Sequence, residues 1–275
     1  MQRHGKTRQQ EEDEEAAATH AARGSRAPWR AAGRQVYART AKAAGHMRGL
    51  ARALLPCACA LCGVVQDEVV CRDCVTDLLY PVSRCPVCAM GRAPGQPCPA
   101  CAQHRPDFDQ AITLGDYAFP QDSLVLALKY GKVLPLASWL AAALADRMRR
   151  ECRSGVPLPD LLAPIPLSPQ RLAERGFNQA WEIARPLARR LGVASDPVLL
   201  ERPRDIATQH LLDLAHRQVN VRGAFRVASA RPLAGLHIGL VDDVMTTGAT
   251  LDEAARTLKA HGAARVSVIV ALRTP

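Results

Sequence analysis

Apolar positions along this chain change their period several times, and each change marks an element. After Asp107 the alternation in FDQAITLGDYAF, Phe108 to Phe119, predicts a strand or hairpin. SLVLALKYGK from Ser123 and LPLASWLAAALADRMRR from Leu134 keep helical spacing and predict two helices. DLLAPIPL, from Asp160, is a short apolar run closed by prolines, as expected for a buried strand whose C-terminal end opens into a loop. Asn178 to Leu191 returns to helical spacing, with Gly192 as its stop. PVLLERPR, GAFRVA, LHIGLVDD and RVSVIVAL supply further strands, with helices at about Asp213 to Arg222 and Leu251 to His261. Strands alternating with helices predict an α/β domain on a mainly parallel sheet, over residues 107–275.

No such pattern precedes this domain. From Met1 to about Arg30 the chain is charged and rich in Gln and Ala, with almost no large apolar residue. It cannot bury enough surface to offset the entropy of ordering, and disorder is expected. Gly33 to Leu55 has the helix formers and spaced cations of a basic amphipathic helix, or equally of a solvated one. Residues 1–53 thus read as a disordered, basic tail.

Charge sharpens this division. The formal net charge of +10 would invite a nucleic-acid reading. Residues 1 to 55, however, hold 11 Lys or Arg against 5 Asp or Glu, so only +4 remains for the other 220 residues. The best apolar run, LPLASWLAAALA from Leu134, is 12 residues long, short of the roughly 18 that a membrane span needs. The basic N-terminus has no apolar h-region, and the acids Glu11 to Glu15 do not fit a transit peptide. A soluble, cytoplasmic chain with no transmembrane segment is expected.

Nine of the ten cysteines fall between Cys57 and Cys101. Four Cys-x-x-Cys pairs, Cys59/Cys62, Cys71/Cys74, Cys85/Cys88 and Cys98/Cys101, can supply two tetrahedral four-thiolate zinc sites. The simplest pairing is sequential; a cross-braced one uses the same residues, and Cys57 can stand in for Cys59. With Tyr80 as the one aromatic in this stretch, residues 54–106 have little core, so zinc is expected to supply most of the module's folding free energy. With all four ligands present at each site, the zinc is structural. Cys152 reads as a packed thiol.

The stretch HIGLVDDVMTTGATL, His237 to Leu251, carries the candidate chemistry. In an open parallel sheet, ligands bind beyond the carboxyl ends of the strands. Thr246, Thr247, Gly248, Ala249 and Thr250 offer consecutive N–H groups, hydroxyls and a glycine free to take positive φ, which suits a phosphate at a helix N-terminus. Asp242 and Asp243 are acceptors at the strand's end, and ribose hydroxyls are donors. A sugar phosphate fits both. The bland alternative is an exposed turn with Thr250 as N-cap and solvated acids. No GxxxxGK[ST] and no GxGxxG occurs.

VDDVMTTGAT resembles the phosphoribosyl pyrophosphate (PRPP) motif of type I phosphoribosyltransferases. In chain order, the cysteine knuckles, LKYGK, IPLSPQRLAERGFNQA, TQHLLDLAHRQVNVRGAF and VDDVMTTGAT are similar to the ComF family, over about residues 54 to 273. The resemblance implies a type I phosphoribosyltransferase fold, a parallel sheet flanked by helices, behind a small zinc-binding module. It implies PRPP with Mg²⁺ as ligand and, in transformable bacteria, a cytoplasmic role in taking up single-stranded DNA beside the DNA-uptake machinery. Ser168 to Arg175 reads as a cationic loop, and the place of Arg171 and Arg175 resembles the pyrophosphate loop of these transferases, where arginine forks suit a diphosphate; the bland alternative is arginines on a solvated helix start. Phe177 is expected to pack and Asn178 to cap or brace a loop; Lys129 and Lys132 are candidates to reach phosphate, with surface lysines the commoner outcome. In TQHLLDLAHRQVN, Leu211 and Asp213 replace the family's usual Gly and Ser, which bears on loop flexibility. No acceptor base is legible and no catalytic residue is assigned. Besides a transferase, the resemblance leaves open a non-catalytic PRPP-responsive protein that binds single-stranded DNA, and a GntX-like transferase of nucleotide or sugar metabolism. A PRPP-responsive regulator lacks a helix-turn-helix.

Overall fold

The computed structural model describes residues 57–78, 82–203 and 222–275. All of them belong to one compact unit starting at Pro56. The N-terminal tail, the helix expected at Asp213 and the TQHLLDLAHRQVN segment lie outside the described residues.

The unit opens with β1 (Cys57–Ala58) and β2 (Val65–Gln66), an antiparallel pair, then α1 (Arg72–Leu78) and α2 (Pro99–Gln103). There follow β3 (Gln110–Asp116), α3 (Asp122–Lys129), α4 (Pro135–Arg153), β4 (Leu161–Pro164), α5 (Pro169–Arg175), α6 (Gln179–Leu191) and β5 (Ala194–Ser195). The chain continues through β6 (Leu200–Glu201), β7 (Arg226–Val227), β8 (His237–Met245), α7 (Ala249–Ala260) and β9 (Arg265–Arg273). Five strands form one sheet in the order β3-β9-β8-β4-β5, every pairing parallel. The architecture is the expected α/β one.

Parallel strands covered on both faces become near-continuous apolar runs, and the first five residues of β8 and the last eight of β9 are all buried. Their alternation still sorts the side chains. Ile112, Leu162, Val241, Ile269 and Ala271 pack with α3, α4 and α6. Leu161, Ala163, Ile238, Leu240 and Val268 pack with α7 and the β6 and β7 pair. Gly239 marks where β4 and β9 press on β8: a Cβ there would strike Leu162 Cδ2 and lie 2.9 Å from Pro159 Cγ.

Of the strand or hairpin expected over Phe108 to Phe119, the strand forms, β3, paired parallel with β9. Other local readings change. PVLLERPR and GAFRVA yield only two residues each, β6 and β7, paired antiparallel outside the main sheet. Pro203, with no N–H to donate, stops the first. β5, two residues long, is too short to show a period. Ser168 to Arg175 is a capped helix, α5, rather than a loop: Ser168 Oγ accepts the Arg171 N–H at 3.4 Å, and Pro169 fits a first helical position.

Candidate functional site

β8 continues through both acids to Met245. Neighbours on a strand point to opposite faces, and the two carboxylates have different surroundings. Asp243, 6% exposed, meets the ammonium of Lys129 at 3.0 Å. Asp242, half-buried, accepts the Asp243 N–H at 2.8 Å. Burial and the adjacent Asp243 carboxylate push its pKa up to about 8, against that N–H and the charges of Lys129 and Arg202. Burial and proximity thus work against a full charge on Asp242 beside Asp243.

Beyond β8 the chain turns at Gly248, whose φ of +86° opens α7 from the left-handed region. Thr246 and Thr247 are exposed, while Gly248, Ala249 and Thr250 are half-buried. Thr247 Oγ1 accepts the Ala249 N–H at 3.3 Å. The first-turn acid Asp252 accepts the Asp107 N–H and lies 3.4 Å from His104 Nε2, which ties the start of α7 to the end of the cysteine-rich segment.

α5 projects from the neighbouring strand β4. Its last residue, Arg175, lies 5.9 Å from the ring centroid of Tyr130, directly after Lys129. Arg171 is exposed in the first turn. Asn178 caps α6 by accepting the Ala180 N–H and also donates to Ile165 O, bracing the segment after β4. Phe177 is partly buried against the core. Lys132 is exposed, but Lys129 is not the surface lysine its sequence indicates: with Asp243 it forms part of the acid cluster. The charge of Arg202 also acts on Asp242, while the exposed Tyr130 meets Arg175. Only LKYGK, a polar close to an apolar helix, hinted at Lys129 and Tyr130, and nothing in ERPR pointed to Arg202.

The eight paired cysteines gather as two sequential groups, Cys59/Cys62/Cys71/Cys74 and Cys85/Cys88/Cys98/Cys101, with all sulfurs of a group within 4.8 Å of one another. Zn–S bonds of about 2.3 Å in a tetrahedron need sulfurs about 3.8 Å apart. Measured separations are 3.7 Å for Cys62 and Cys71, 3.8 Å for Cys85 and Cys101, and 3.5 Å for Cys88 and Cys98. The donor set fits a tetrahedral divalent ion and is too wide for disulfides, whose sulfurs are about 2 Å apart. Burial opposes thiolate at Cys59, but the N–H groups of Cys62 and Cys71 outweigh it and bring the thiol to about 6. Cys57 lies outside both groups, and Cys152 is exposed rather than packed because it falls on the outer face of α4's last turn. No helix among the described residues is long and apolar enough to cross a membrane.

Comparison with known proteins agrees with this layout. Residues 179–275 match the model of the phosphoribosyl transferase domain. The DNA utilization protein YhgH of Salmonella typhi is 39% identical over 207 residues, covering 74% of this chain and 90% of the relative. Competence protein F of Haemophilus influenzae is 30% identical over 175 residues, 63% of this chain and 76% of the relative. Competence protein ComFC of Bacillus subtilis is 36% identical over 119 residues, 42% of this chain and 45% of the relative.

Proposed function

The chain belongs to the ComF family, and from that premise we propose that it binds PRPP at the carboxyl edge of its sheet and serves the handling of incoming DNA in the cytoplasm. The observation that carries the proposal is the succession at the end of β8: two acceptor carboxylates, then a glycine turn opening α7. Asp242 and Asp243 would take the ribose hydroxyls, and Thr246 to Thr250 the 5-phosphate through backbone N–H groups and hydroxyls. Lys129 neutralises the acid pair in the free protein and becomes available to the diphosphate once hydroxyls satisfy Asp243. Arg171 and Arg175 supply further positive charge from α5. Mg²⁺, arriving with PRPP, supplies charge neutralisation on the diphosphate. Where a nitrogen acceptor is present, its bond to the ribose C1 would form as the C1–O bond to pyrophosphate breaks, and the site would act mainly by holding both parts in place. The cysteine centres take zinc as structural ions and form, over residues 54–106, a module ahead of the transferase-like domain at 107–275.

Titration of Mg²⁺-PRPP into the full chain by calorimetry tests this. Asp242→Asn with Asp243→Asn should weaken binding more than tenfold, since each acceptor bond to a charged group contributes about 1.5 to 3 kcal/mol. Unaltered affinity would remove the acids from the site. A second reading, a DNA-binding protein for which PRPP is a signal, draws on the relatives named for DNA utilization and competence. Pyrophosphate release that depends on an added base supports the transferase, whereas salt-steep binding of single-stranded DNA without release supports the second reading.

A further inference from the structure

Arg273 ends β9 and is 5% exposed, yet none of the ion pairs among the described residues includes it. Its guanidinium donates to backbone carbonyls instead. Nε reaches Cys88 O at 3.3 Å; Nη1 reaches Met245 O at 3.2 Å, Thr274 O at 2.6 Å and also Thr246 O. Cys88 belongs to the second cysteine centre. Met245 is the last residue of β8 and Thr246 the first of the phosphate loop. One side chain thus holds a metal knuckle and the root of the loop at once.

A buried cation needs a counter-charge. The neighbouring Arg84 has one, Asp116 at 2.7 Å, and its Nη1 also donates to Ala89 O at 3.1 Å. Four thiolates around a divalent ion leave a double negative charge, so the loaded second centre would set a counter-charge against Arg273, whereas the Asp116 carboxylate is paired with Arg84. Among the described residues no side-chain hydrogen bond joins the first centre to the phosphate loop. Cys59 and Cys71 pack into the core cluster that contains α3 and α4.

We propose that Arg273 is a positioning residue that couples metal occupancy of the second cysteine centre to the geometry of the phosphate loop, so that PRPP binds better when that centre is loaded. This rests on the reading of Thr246 to Thr250 as the phosphate site. With the metal in place, Arg273 stays dry and its donors remain divided between Cys88 and the loop root. Without it, the knuckle loses its fixed geometry, Cys88 O moves, and the uncompensated guanidinium draws water or swings away, releasing the Met245 and Thr246 carbonyls.

Linkage makes the coupling reciprocal: PRPP must raise the zinc affinity of the second centre by the factor by which zinc raises PRPP affinity. The full-length protein is therefore equilibrated at fixed free zinc, set by a chelator buffer, with and without saturating Mg²⁺-PRPP. Metal-free thiols are alkylated and assigned to each centre by peptide mass spectrometry. The expected result is about a tenfold gain in zinc affinity at Cys85/Cys88/Cys98/Cys101 and less than a twofold change at Cys59/Cys62/Cys71/Cys74. In Arg273→Met the gain disappears, and calorimetry on the zinc-loaded variant shows PRPP bound about tenfold more weakly. Should that variant fail to fold, the wild-type arm decides alone. PRPP binding that leaves both centres unchanged, or shifts both equally, overturns the coupling and leaves the site standing. Absence of PRPP binding to the fully loaded wild type overturns both.

Discussion

Replacing Asp242 with Asn tests the acid pair through protons as well as affinity. The carboxyl of Asp242 titrates at about 8 instead of its ordinary 3.8, because burial and Asp243 both disfavour its charge. At pH 7 such a group is about nine-tenths protonated. Mg²⁺ and charge-assisted bonds from ribose hydroxyls favour the ionised carboxylate, so binding of Mg²⁺-PRPP should expel most of a proton from Asp242 at pH 7. Below pH 8 the apparent affinity should therefore rise by up to about tenfold per pH unit, flattening above it. Calorimetry in buffers of different ionisation enthalpy counts the protons. PRPP itself titrates in this range, so the quantity to compare is the difference between wild type and Asp242→Asn, where most of one proton fewer should leave. Stability carries the opposite sign. A folded pKa raised above the unfolded value gives a contribution that is complete below about pH 4 and lost as the pH rises through about 8. The free wild-type protein should lose urea resistance across that window, and the Asn variant less of it. Equal proton release by the two proteins would refute the raised pKa and its link to the ligand.

Gly239→Ala would drive a methyl into Leu162, Pro159 and Ile269 at the centre of the sheet. A loss of about 1 to 3 kcal/mol should appear as a lower urea midpoint at unchanged slope, and an unmoved midpoint would show that the strands can part. Metal analysis should return about two zinc ions per chain, with chelation exposing residues 57–101 to proteolysis before the sheet. An iron-sulfur absorption band would contradict the zinc assignment. Deleting residues 1–50 should weaken binding of single-stranded DNA and flatten its salt dependence, by about 0.7 in slope for each phosphate that the tail no longer neutralises, while PRPP affinity stays unchanged. A truncated protein that keeps its DNA affinity and slope would move the DNA surface to the cysteine module or the sheet.

What could be read from the sequence was contiguous in it. The run HIGLV, the acids Asp242 and Asp243, and TTGAT follow one another, so strand, acceptors and turn needed no tertiary information. The same holds for the cysteine pairs, whose sequential grouping was the simplest expectation and is the one seen. What could not be read arrives from elsewhere in the chain. Lys129 closes an ordinary amphipathic helix, and only the placement of α3 over β8 brings its ammonium against Asp243. Arg175 gains a role from Tyr130 in the same way. Arg273 is the extreme case: an arginine ending an apolar strand reads as a solvated terminus, yet it is buried by the cysteine segment lying across it. Composition changes abruptly near residue 107, and side-chain contacts run straight across that point, through Arg84 with Asp116, Cys88 with Arg273, and His104 with Asp252. The cysteine segment is thus packed on the carboxyl edge where the candidate site lies. A chain that carries its second cysteine group there has the means to make ligand binding sensitive to that group, which no separate reading of either segment would reveal.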